Sequence, residues 1–260
     1  MGSRRVDWSA LRAGSADAPE VTGLRERRKR ATRQTLIDTA SDMFLARGFD
    51  AVTVNEIAEA CDVSPTTVFN YFPTKELLVL DLPDDLLAAL RAALADPGST
   101  PLEGVLRVLA GELDHLTSWL EAQEDKVWAA EALQRFETMV RETPALQAYH
   151  RRMCQRMTAA ACEVLAKRAG LNPRDPEPQI VAAALIGLWS VQVNSCCKYL
   201  DGLRSPAEVY DAVADEVHRA ARRLEIGLAT FATDAEARNG DRPETGGRPG
   251  ARGATLAESG

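Results

Sequence analysis

The sequence predicts an all-α fold in two parts, a small three-helix head at the N-terminus and a larger helical domain behind it. Three observations carry this. Ala and Leu are plentiful and aromatics make up only 5% of the 260 residues, a mixture that favours helix. Apolar residues recur at three- and four-residue spacing along most of the chain. No run alternates apolar and polar positions with β-branched residues, so no sheet is expected. With 45% apolar and 27% charged residues the chain has the profile of a soluble globular protein.

The ends read as unstructured. Residues 1–23 carry Arg4, Arg5, Asp7, Arg12, Asp17 and Glu20 without a continuous apolar core, which predicts a flexible leader and no secretory signal. Residues 233–260 scatter Gly240, Pro243, Gly246, Gly247, Pro249, Gly250 and Gly253 among charges and predict a disordered tail. Between them lie a head over 24–80 and a helical domain over 81–232. The longest apolar run, Ile180 to Val191, falls short of the roughly 20 apolar residues of a membrane span, so a cytoplasmic protein without a membrane partner is expected.

Within the head, Leu36, Ala40 and Phe44 lie at helical spacing, and Gly48 ends that helix. Thr53 with Glu56 three residues on is a capping box that starts a second, short helix. Asp62-Val63 is a turn. Ser64 caps a third helix with Pro65 at its first position, where a missing N–H costs nothing. Thr74 is expected to cap a fourth helix from Lys75 to about Ala95, stopped by Asp96-Pro97-Gly98. Further helices are expected near 101–121, 124–141, 144–169, 177–200 and 206–231, punctuated by Pro101, Pro144, the Asn172–Pro178 segment and Pro206.

The net charge is −7, yet Leu24 to Arg33 carries six basic residues against one acid. Local positive charge suits nucleic acid even in an acidic protein. The two short capped helices that follow share an inner face of Val54, Ile57, Ala58, Val63, Val68 and Phe72. The second then presents Thr66, Thr67, Asn70 and Tyr71 outward, as a recognition helix in a major groove does. Asn bridges N6 and N7 of adenine, and a Thr methyl touches a thymine methyl. Tyr71, Thr53 and Lys75 are candidate phosphate ligands, and Arg30 and Arg33 reach towards the backbone or the adjacent minor groove.

These residues resemble the TetR family. Its head reads as a basic helix ending in F-x-x-x-G-F, then T-V-x-x-I-A, V-S-x-x-T, an aromatic-rich Y-F and a Lys. This chain supplies Phe44 to Phe49, Thr53 to Ala58, Val63 to Thr67, and Tyr71-Phe72 followed by Lys75. The resemblance covers roughly residues 28–88. Many relatives with V-S-P carry Arg where this chain has Thr66, so a strong guanine reader is missing there. The resemblance implies a sequence-specific regulator of a double-stranded, palindromic operator, most simply a repressor released by ligand, with an activator as the alternative. It also implies a homodimer joined through the last two long helices, with stripes Ile180, Ala184, Leu188, Val191 and Val209, Val213, Val217 as the candidate interface. Ligand binding is then expected to shift the fourth helix and with it the spacing of the two recognition helices.

The effector site is weakly encoded. Trp119, Trp128, Phe136, Met139, Met153, Met157 and Trp189 are candidate pocket residues for a small hydrophobic effector. The stretch from Ala132 to Arg168 is loosely similar to mycofactocin-type members with an acyl-CoA-like ligand domain, which implies an acyl-CoA or another hydrophobic metabolite. His150 and Cys154 have a spacing that two metal ligands use, but two ligands are not a site, and no metal or cofactor is expected. The five cysteines (Cys61, Cys154, Cys162, Cys196, Cys197) form no C-x-x-C pair and read as reduced packing residues. There is no G-x-G-x-x-G, P-loop or H-E-x-x-H, so an enzyme is not expected. A helical dimerisation or scaffold protein without DNA binding is the other rival.

Overall fold

Caps and prolines divide the chain into helices much where the sequence places them. The structure, a computed structural model, describes residues 6–12, 23–80 and 84–240. The head comprises α2 (Leu24–Arg47), α3 (Val54–Ala60) and α4 (Pro65–Tyr71), followed by a 3-10 turn at Lys75–Leu78. The larger domain comprises α5 (Asp84–Ala95), α6 (Pro101–Glu121), α7 (Lys126–Glu142), α8 (Pro144–Ala169), α9 (Pro176–Tyr199) and α10 (Pro206–Gly240). No strand occurs among the described residues.

Three expectations are corrected. The leader is not wholly unstructured: residues 8–12 form a short helix, α1 (Trp8–Arg12), and Val6 and Trp8 are buried. The charges of this stretch masked two large apolar side chains. The fourth helix is not continuous from Lys75. The chain turns once at Lys75–Leu78 and α5 begins at Asp84, and a proline at position 83 of the sequence is costly inside a helix running on from Lys75. Finally, α10 runs on to Gly240, eight residues into the expected tail. Its last turns are rich in alanine and meet no helix breaker before Gly240. The rest of that tail lies outside the described residues.

Helix α5 is held at both flanks. Gly104 on α6 faces it so closely that an added Cβ would lie 2.6 Å from the Ala93 carbonyl oxygen. Arg168 of α8 donates to the Leu94 carbonyl in the last turn of α5 at 3.1 Å and to the Asp96 and Ser99 carbonyls of the turn that follows at 2.9 and 2.7 Å. Orphan carbonyls at a helix end need such donors.

Helix α9 is the spine of the larger domain and packs against α6, α8 and α10. By length and composition alone it is apolar enough to cross a membrane. Its contacts are those of a core helix. Gln192 is buried and donates to the Leu109 carbonyl of α6 at 3.0 Å. Ser195, Lys198 and Tyr199 all donate to Glu216 of α10, at 2.5, 2.7 and 2.8 Å. These bonds, the Lys198 bond first, hold the Glu216 carboxyl down at about 2.

Candidate nucleic-acid interface

The angle between α3 and α4 is set by a small core. Ile57, Ala58, Val68 and Phe72 are buried, with Val54 and Val63 packed against them. The turn between the helices needs one residue in the left-handed region, and Asp62 takes it at φ 53°. Asp adopts this region more readily than most side chains. The Val63 N–H closes the turn on the Ala58 carbonyl at 2.9 Å.

Both helix starts are capped as expected. Thr53 Oγ1 accepts from the Glu56 N–H at 3.2 Å and donates to Glu56 Oε2 at 2.8 Å, while the Thr53 N–H donates to the same oxygen at 2.7 Å. Arg47, at the end of α2, adds an ion pair to Glu56 at 2.6 Å. The Thr53 backbone bond, then Arg47 and the Thr53 hydroxyl, pull the Glu56 carboxyl from its ordinary 4.5 to about 2. At α4, Ser64 Oγ accepts from the Thr67 N–H at 3.1 Å and shares a hydrogen bond with Thr67 Oγ1 at 2.9 Å.

The outward face of α4 consists of Pro65, Thr66, Phe69 and Asn70, all exposed. Thr67 and Tyr71 flank it, half-buried. Phe69 was not among the candidates, yet it is 47% exposed on this face. The signal was in the sequence: Phe69 lies three residues after Thr66 and beside Asn70, on the stripe opposite Val68 and Phe72. An exposed phenyl ring suits apolar contact with a thymine methyl.

Two candidate cations are engaged elsewhere. Lys75 is turned inward: its Nζ donates to the Phe49 carbonyl at 2.5 Å and lies 4.1 Å from the Phe49 ring centroid and 5.5 Å from that of Phe44. Burial lowers its pKa. A phosphate contact would require it to give up this seat. The Arg33 guanidinium lies over the Phe72 ring at 5.0 Å, and burial lowers its pKa too. Arg30 is exposed on α2, with Arg25, Arg27, Arg28 and Lys29. The exposed positive charge of the head is concentrated in the first turns of α2.

The comparisons with known proteins agree with this geometry. The family described as bacterial regulatory proteins, tetR family, matches residues 36–82, and the MftR C-terminal domain matches residues 122–229. The HTH-type transcriptional regulator TcmR of Streptomyces glaucescens is 32% identical over 196 residues, covering 70% of this chain and 79% of TcmR. This chain belongs to the TetR family. It is a DNA-binding transcriptional regulator and not an enzyme. The mycofactocin biosynthesis regulator MftR of Mycobacterium tuberculosis is 28% identical over 163 residues, covering 62% of this chain and 78% of MftR.

In this TetR-family chain the expected pocket residues Trp119, Phe136, Met157, Trp128, Met139 and Trp189 belong to or pack against one hydrophobic core. Trp119 and Phe136 are buried and meet at Trp8, with ring centroids 6.4 and 5.1 Å from its indole. Met157 is buried, Trp128, Met139 and Trp189 pack partly buried against the core, and Met153 stands apart on α8. Reading residue types along the chain missed Glu137, whose carboxyl burial pushes up, against the opposing charge of Arg141. Of the expected interface residues, Leu188, Val209, Val213 and Val217 are buried inside the subunit. They are core residues of the α9–α10 pair, because two adjacent helices bury their apolar stripes against each other first. Ile180 is 67% exposed, and Ala184 and Val191 are partly so. His150 and Cys154 lie 3.9 Å apart, and no group of three candidate metal ligands occurs among the described residues.

Proposed function

We propose that this regulator is a cytoplasmic homodimeric repressor of a palindromic operator, released when a small hydrophobic effector binds the domain over 81–232. The observation that carries the DNA side is the split of α4, with Val68 and Phe72 fixed in the core and Thr66, Phe69 and Asn70 facing out. Such a helix reads base edges while the basic start of α2 meets phosphates. Two-fold symmetry matches a palindrome with half-sites one helical turn or a multiple apart. The dimer surface is assigned to the outward side of α9, where Ile180, Ala183 and Gly187 are exposed and Ala184 and Val191 partly so. Small residues there permit close approach of a partner helix.

An acyl-CoA or a related hydrophobic metabolite is the proposed effector class, by similarity to the mycofactocin-type domain. Its binding would act on the head through α5, which Gly104 and Arg168 tie to the larger domain. A ligand does this only by binding the DNA-incompetent arrangement better than the competent one.

The test combines light scattering, operator titration and a reporter. The intact chain should be a dimer binding with two chains per operator. Ile180→Glu should give monomers that bind a full site more weakly. A reporter with the operator across its promoter should fall on expression of the chain. A rise would assign activation, and a monomeric intact chain would remove the palindrome from the account.

A further inference from the structure

The indole of Trp8 is buried to 1% exposure in a socket built from three helices. Phe136 of α7 stacks on it at 5.1 Å with a 26° interplanar angle, and Trp119 of α6 lies tilted at 6.4 Å. The indole N–H donates to Asp42 Oδ1 of α2 at 3.2 Å. The backbone of the same segment satisfies the rest of the socket. The Trp119 indole N–H donates to the Asp7 carbonyl at 2.9 Å. His115 Nε2 faces the carbonyls of Ala10 and Leu11 at 3.1 and 3.0 Å, so this nitrogen carries a proton.

A five-residue helix does not hold itself together in water. Residues 6–12 therefore keep their shape through what they dock on, and their docking is a local equilibrium that opens below the free energy of global unfolding. The walls also have packing partners of their own. Helix α2 packs on α3, α6 on α5 and α10, and α7 on α8.

We propose that the Trp8 socket is a binding site for a planar aromatic molecule, and that residues 6–12 are its built-in competitor. The groups around it define the class. A ligand replacing the Trp8 side chain must present an N–H or O–H to Asp42 and a flat ring between Phe136 and Trp119, and a carbonyl-type oxygen on it would further satisfy the Trp119 and His115 donors. A phenolic or indolic compound carrying a carbonyl or carboxylate has this pattern. The exchange bears on DNA because Asp42 belongs to the long helix of the head while the other walls belong to the larger domain. Only this last step rests on the proposed ligand response. Binding itself stands apart from it and is tested without DNA.

The experiment is calorimetric titration of 3-methylindole, the tryptophan side chain as a free molecule, into the full chain and into Trp8→Ala. The variant should bind one molecule per chain about tenfold or more tighter than the intact chain, whose own Trp8 lowers the competent fraction. In the intact chain at saturating 3-methylindole, amide exchange at Ala10 and Leu11 should rise while exchange in α2 and α6 stays slow. Adding Trp119→Phe and Phe136→Leu to Trp8→Ala should abolish the gain. Equal affinity of variant and intact chain, or binding to the intact chain that leaves Ala10 and Leu11 protected, would overturn the proposal. The exchange measurement decides the matter even if Trp8→Ala does not fold. Loss of DNA binding in an unrelated assay would sink the regulatory reading but not this one.

Discussion

Lys75 Nζ donates to the carbonyl oxygen of Phe49 across the head, 2.5 Å away, and lies over the Phe49 and Phe44 rings. This bond ties the segment after α4 to the end of α2, so it fixes where α4 sits. Lys75→Ala should lower head stability by roughly 1.5–3 kcal/mol, the range of a hydrogen bond to a charged group. Chemical denaturation followed in the head should show it. With Lys75 held in this seat, the slope of log affinity against log salt should hardly change. A slope smaller by about one unit would instead make Lys75 a phosphate ligand.

The exposed residues of α4 should behave in the opposite way. Asn70→Ala and Phe69→Ala should leave the melting temperature within a degree or two. Asn70→Ala should lose about 1–3 kcal/mol of discrimination at one base position, the worth of a bidentate contact. Binding to a panel of single-base operator variants measures this directly.

The capping box at α3 predicts an acid dependence. The Glu56 carboxyl is at about 2 in the fold and at its ordinary 4.5 when unfolded. A depressed carboxylate stabilises the fold above the unfolded value, and the contribution fades as pH falls from 4.5 towards 2. Glu216 follows the same sign in the same window. Melting temperatures between pH 7 and 2.5 should fall more gently in that window for Glu56→Gln than for the unaltered chain.

At the α5–α6 crossing, Gly104→Ala should destabilise by about 1–3 kcal/mol, because its Cβ would meet the Ala93 carbonyl oxygen and overpacked backbone cannot easily yield. Thermal unfolding checks it. If α5 is the link from effector to head, the same substitution should also change the effector's influence on operator affinity.

The vicinal cysteines should be inert. Burial first, then the charges of Glu137 and Cys197, push the Cys196 thiol up to about 12, and Cys197 is raised for similar reasons. Little thiolate exists at neutral pH, and the thiolate is the reactive form. Native alkylation at pH 8, read by mass spectrometry, should modify Cys196 and Cys197 far more slowly than in denaturant. Fast native modification would reopen oxidant sensing.

The head was legible in the sequence because each of its parts has a local signature. Thr53 with Glu56, Ser64 with Pro65, and the stripe Ile57, Ala58, Val68, Phe72 each fix geometry within a few residues. What was missed depends on contacts far along the chain. Nothing near Trp8 announces a docking site, since its partners Asp42, Trp119 and Phe136 are 34 or more positions away. The bond from Lys75 to the Phe49 carbonyl spans 26 positions and has no local signature. The stripe Val209, Val213, Val217 has the same period whether it faces a partner subunit or α9, and only the fold decides. The break before α5 was readable, because Pro83 stands where a continuous helix from Lys75 would need its N–H.

The central claim is that α4 reads a specific DNA sequence in a dimeric frame. Selection of bound sequences from a random duplex pool, repeated at several salt concentrations, tests it most directly. The account predicts enrichment of a palindrome whose half-sites lie one helical turn or a multiple apart, with affinity falling steeply as salt rises. Retention of random sequence without a motif, at an affinity insensitive to salt, would contradict it.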